Sequence, residues 1–115
     1  MSVLTLRNGA FVPGITQNIT TTGGSQLSTA FASTTSIIRV TTQVDIYVQL
    51  GTTTSPPSAT TGSMLVLAGI TEFLAVPAAM ISSTGVVTQQ SQIAILQAGA
   101  SAGVVGITQL TGYSN

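Results

Sequence analysis

Residues 44–50 read Val-Asp-Ile-Tyr-Val-Gln-Leu, and this alternation constrains the fold more than any other stretch of the chain. Val44, Ile46, Val48 and Leu50 fall on one face of an extended strand, and Asp45, Tyr47 and Gln49 on the other. That is the pattern of a strand with one buried face. Just upstream, Ser36-Ile37-Ile38-Arg39-Val40-Thr41 turns Ile38 and Val40 inward and Arg39 outward. The Thr42-Gln43 link is short enough for a hairpin, which would set Arg39 opposite Asp45 as an exposed pair worth at most about 1 kcal/mol.

The rest of the chain extends this pattern. Thr is the commonest residue, Val and Ile are abundant, and Gly or Pro interrupts the sequence repeatedly, which favours strands and turns. Further strands are expected at residues 3–7, 26–31, 64–67, 70–76, 79–82, 91–97 and 103–110. In the strand at 70–76, Glu72 is expected to face outward so that Phe73 points inward. Residues 51–62 contain Pro56-Pro57 and form an exposed loop, because adjacent prolines forbid a central strand. The small residues at 98–103 form a turn that closes a last hairpin. The expected fold is all-β, a two-layer antiparallel β-sandwich or jelly-roll-like domain of about eight short strands. Residues 8–25 hold Asn-Gly, Pro-Gly and Gly-Gly with scattered apolar residues and no clear period. The chain therefore divides into an extended N-terminal arm over 1–24 and a β-sandwich domain over 25–115, and loss of the arm should leave the sandwich folded. A Thr-rich solenoid is excluded, since the Thr triplets at 20–22 and 52–54 do not recur at a short period.

Charge narrows the function. The chain of 115 residues has two basic side chains, Arg7 and Arg39, and two acidic ones, Asp45 and Glu72, with no His or Cys. An ordinary soluble domain is roughly 25% charged. No thiolate, imidazole or amine nucleophile exists here, and no metal or haem site can be built from Cys or His. Two arginines cannot neutralise a nucleic acid backbone, so that partner is not expected. The start, Met1 to Arg7, lacks a basic leader and a continuous apolar region, so a secretory signal is not expected. The apolar run at 64–81 has the length of a membrane span, but Glu72 near its centre would cost about 3 kcal/mol, Pro77 interrupts it, and no Lys or Arg anchors its flanks. A pair of buried strands fits better. A nearly neutral chain so rich in apolar residues should associate, its surface covered by copies of itself or by a larger assembly.

The candidate sites are few. Asp45 and Glu72 invite a paired-carboxylate glycosidase, yet one alternates outward on its strand and the other needs only to expose itself for Phe73 to be buried. No loop concentrates oxygen ligands as calcium sites do, so no metal and no cofactor is expected. The serines lack a His or Lys base and a Gly-x-Ser-x-Gly elbow. No glycine cluster follows a strand with a Lys after it, as a phosphate loop would. Tyr47 and Tyr113 are candidate contact residues, although Tyr47 alone is a weak carbohydrate signal.

From Ser36 onward the order of features resembles small structural proteins of tailed-bacteriophage virions. A strand with a central Arg (Ile37-Ile38-Arg39-Val40) leads to an alternating strand ending in Gly51-Thr52, then to a Pro/Ala/Thr loop (Pro57-Ser58-Ala59-Thr60-Thr61). Ser63-Met64-Leu65-Val66-Leu67-Ala68 and Thr71-Glu72-Phe73-Leu74-Ala75-Val76 follow, then Ile93-Ala94-Ile95-Leu96 and a Gly-initiated closing strand from Gly103. Such proteins commonly read Leu-Pro-Ala and Pro-Gly-Asp where this chain has Leu67-Ala68-Gly69 and Pro77-Ala78-Ala79. The resemblance covers about two-thirds of the chain and implies a β-sandwich without enzymatic activity that decorates or cements a capsid. Its expected partners are the major capsid protein and further copies of itself, a trimer being the simplest match to capsid symmetry, with no nucleic acid and no membrane. The expected location is the outer surface of the virion capsid. Arg7, Phe11, Val12, Ile15, Tyr47, Pro56, Pro57 and Tyr113 are the candidate interface residues. The alternatives are a head- or tail-fibre module that binds a cell-surface glycan or receptor through Tyr47 and the loop at 52–61, and a surface β-domain with packing duties alone.

Overall fold

The computed structural model describes residues 11–76, 80–81, 87–88 and 90–112. The chain order is β1 (Phe11–Thr20), β2 (Gln26–Leu27), β3 (Ile37–Thr42), β4 (Ile46–Gly51), β5 (Met64–Val66), β6 (Glu72–Ala75), β7 (Met80–Ile81), β8 (Val87–Thr88), β9 (Gln92–Gln97) and β10 (Val104–Gly112). Two four-stranded antiparallel sheets, β1-β10-β3-β6 and β2-β9-β4-β5, form the sandwich, and β7 and β8 pair separately. The all-β sandwich expected from the sequence is the fold observed.

The core follows from alternation on the central strands. Ile38 and Val40 of β3 and Val105 and Ile107 of β10 are buried from one sheet; Ile46 and Val48 of β4 and Ile93 and Ile95 of β9 are buried from the other. Register keeps each set on one face: Val40 lies opposite Ile107, and Val48 opposite Ile95. β-branched side chains dominate because their stiff rotamers suit a pleated surface packed on both sides of one layer.

Both expected hairpins are instead crossings between sheets. β3 belongs to the first sheet and β4 to the second, so Arg39 and Asp45 do not face each other across a ladder. The Asp45 carboxylate accepts the Ala68 N–H at 2.8 Å, and Arg39 lies beside Thr108 and Phe73 on its own sheet. Residues 98–103 likewise carry the chain from β9 in one sheet to β10 in the other. Alternation specifies which residues face inward and is silent about which sheet receives the strand.

Neutral side chains fasten these crossings. Thr21 Oγ1 donates to Gln97 Oε1 at 2.7 Å and accepts the Gly103 N–H at 3.0 Å, while Gln97 Nε2 donates to the Gly99 carbonyl. The buried Gln109 faces inward from β10, and its Oε1 accepts the Ala32 N–H at 2.9 Å and the Thr35 hydroxyl at 2.8 Å. These bonds satisfy backbone groups that the turns would otherwise leave without partners.

The expectation of a separate arm over 1–24 is corrected where the chain is described. β1 pairs with β10 from Phe11 opposite Gly112 to Thr20 opposite Val104, and Ile19 joins the core. A register shift between Pro13 and Thr16 breaks the period, and Gln17 stands at an inward position where an apolar residue would have marked a strand. The expected strand at 3–7 lies outside the described residues. Glu72 and Phe73 are also reversed: Glu72 pairs with buried Val40 and is half-buried, while Phe73 pairs with Arg39 on the outer face and is 57% exposed.

Two outcomes test this architecture. Ile107→Ala, which empties the middle of the core, should lower unfolding stability by about 2–5 kcal/mol in urea titration. Removing residues 1–24 strips β1 from β10 and takes Ile19 and Thr21 with it, so the shortened chain should lose a cooperative melt followed by circular dichroism. A sharp transition at the original temperature would mean that β1 is dispensable.

Candidate interaction surface

Apolar exposure is concentrated at the two lateral edges of the sandwich. One edge is formed by β5 and β6, the last strands of their respective sheets, joined through residues 67–71. Met64, Leu65, Leu67, Ile70 and Phe73, all on this edge, are between 44% and 57% exposed. The connecting turn closes with an Ile70 N–H to Leu67 carbonyl bond of 3.2 Å, and Gly69 adopts φ 78° in its third position, as a type II turn requires. Gly69 thus lets Leu67 and Ile70 project from the two sides of a tight bend. A groove of about 200 Å³ lined by Val48, Gln49, Leu50, Met64 and Leu74 carries the apolar surface inward between the sheets.

The opposite edge consists of β1 and β2. Gln26 Nε2 donates to the Thr20 carbonyl at 2.9 Å, and Gln17 Oε1 accepts both the Thr29 N–H and its hydroxyl, which ties the two strands' ends together. Val12, Ile15 and Leu27 are exposed here, Ile15 at 68%.

The broad faces differ. Across the first sheet, Thr16, Thr108, Arg39 and Phe73 form one outward row, with Thr16 and Thr108 hydroxyls 2.8 Å apart. Val104 is the one large apolar residue exposed on a central strand among the described residues. On the second sheet, residues 52–63 lie over the outer face. A Cβ at Gly51 would meet the Pro57 ring at 2.7 Å, and the Ala59 N–H donates to Ser25 Oγ at 3.0 Å, just ahead of β2. The loop therefore crosses from β4 toward β2 over β9. Ala94, which faces outward between Leu27 and Gln49, is accordingly fully buried.

The candidate interface residues are not gathered in one place. Val12 and Ile15 are exposed on the β1 edge. Tyr47 is half-buried on the outer face of β4, opposite Leu65 and Leu96. Pro57 covers Gly51 on that same face, while Pro56 is exposed. Phe11 begins β1, and Arg7, Tyr113 and the side chain of Phe11 lie outside the described residues. The β5–β6 edge was missed, because a long apolar run reads as core. The signal was present in the sequence: from Leu65 to Leu67, and again at Phe73-Leu74, adjacent positions are apolar, so both faces cannot turn inward.

A hollow of about 310 Å³ lies among Val44, Asp45 and residues 98–101, but the Asp45 carboxylate is turned to the Ala68 backbone. No group of His, Cys, Asp or Glu among the described residues could hold a metal ion. Compared with family models, with curated proteins and with solved structures, the chain matches none.

Gly69→Ala tests the turn that shapes the apolar edge. A Cβ there meets no neighbour, so the cost is backbone strain alone, expected at about 1 kcal/mol in denaturant unfolding.

Proposed function

We propose that the protein is a non-enzymatic structural component of a virion that decorates or cements the capsid of a tailed bacteriophage by bridging major capsid subunits. The observation that carries this reading is the placement of exposed apolar side chains along the sandwich edges of a chain with no net charge. Copies fixed on a lattice need lateral contact surface more than they need charges to steer encounter. The order of strand and loop motifs from Ser36 onward supports the same role. Cementing would work by burying these edges against neighbouring subunits, so that rupture of the shell must first expose apolar surface to water.

A second reading, a fibre module that binds a glycan, draws support from Tyr47 and Pro57 sharing the outer face of one sheet. Tyr47 is half-buried between leucines, which leaves less ring for a sugar to stack on.

Immunogold labelling of particles from the source separates the two. Label spread over the head shell is expected, with attachment varying little between low and high salt because few charges exist to be screened. Label confined to a tail tip, with glycan binding abolished by Tyr47→Ala, would favour the fibre module. Unlabelled particles would overturn the virion role.

A further inference from the structure

We propose that the β5–β6 edge of one copy is the seat of the β1–β2 edge of the next, in a head-to-tail contact that builds an assembly larger than a dimer. The contact belongs to the isolated protein and holds whether or not a capsid carries it.

Three observations name a second copy as the occupant. Apart from Val104, every large apolar residue exposed among the described residues lies on β1, β2, β5, β6 or the β5–β6 turn, so the uncovered surface is divided between opposite sides of the molecule. A single contact repeated between copies covers both sides, whereas a two-fold contact through one edge leaves the other in water. Charge does not oppose it: the Val12, Ile15 and Leu27 edge carries no ionised side chain among its described residues, so Glu72 and Arg39 near the other edge meet no like charge.

Strand direction also fits. The first sheet alternates through β1, β10, β3 and β6, each pair antiparallel, so β6 runs opposite to β1. A neighbouring β1 set beside β6 with strand axes aligned is therefore antiparallel to it and continues the sheet. Pro13 and the register shift that follows keep the first part of β1 out of such a ladder. The regular part, Thr16 to Thr20, is long enough to span the four residues of β6. In this antiparallel setting Thr20 comes to the turn that precedes β6, and Val12 and Ile15 run on past Ala75 at its other end.

Mass measurement by light scattering after size exclusion tests the contact, using the full chain. The wild type should give a mass greater than that of a dimer. Leu67→Ser with Phe73→Ser disables one edge, and Val12→Ser with Ile15→Ser disables the other. Each double variant alone should be monomeric, and an equal mixture of the two should give a heterodimer and nothing larger, since one intact edge remains on each partner. Native-like melts confirm the fold of each variant, and the single changes Phe73→Thr and Ile15→Thr replace any double variant that fails to fold. A monomeric or dimeric wild type would overturn the proposal, as would a mixture that stays monomeric. An Ile15 variant that keeps the wild-type mass would overturn it too, because the β1–β2 edge would then take no part in the contact.

Discussion

Everything in this molecule depends on two sheets that each turn one apolar face toward the other. Ile38, Val40 and Ile107 on one side and Ile46, Val48 and Ile95 on the other exclude water from a layer only two side chains deep. Such a layer is closed above and below by backbone, but not at its sides. The strands that end each sheet are short on one side and irregular on the other, so apolar side chains reach the surface there. The sticky edges are thus a consequence of building a narrow sandwich from a sequence with few charges to cover its margins.

The chain changes sheet between β1 and β2, β2 and β3, β3 and β4, β5 and β6, and β9 and β10, and again between β6 and β9 by way of the separate β7–β8 pair. Each change needs an irregular bend whose peptide groups have left the ladder. Larger proteins often bridge such bends with charged side chains, and this one uses Gln17, Gln26, Gln97, Gln109 and Thr21. Each donates or accepts within about 3 Å of a crossing, a distance at which a neutral hydrogen bond contributes on the order of 1 kcal/mol.

Much of the fold was legible because β3 and β4 alternate with a period of two, and β9 and β10 still place β-branched Ile93, Ile95, Val105 and Ile107 at alternate inward positions. β1 was not, since its pattern is broken at Pro13 and its inward Gln17 satisfies loop groups in place of filling the core. The partition of strands between sheets was hidden as well, because Thr42-Gln43 is equally compatible with a hairpin and a crossing. At the candidate surface, exposure of Val12 and Ile15 could be read from their Pro-Gly surroundings. The phase of β6 could not: a strand at the margin has Glu72 turned toward a layer open to water, which tolerates a carboxylate that a central strand would expel.

Those glutamine and threonine fastenings have a further consequence. Amides and hydroxyls neither gain nor lose protons across the range in which biological fluids vary, so acidity has no handle on them. Among the described latches only Asp45, on the Ala68 N–H, carries an ionisable group. The neutral fastenings within the sandwich are therefore the same in an acidic as in an alkaline medium.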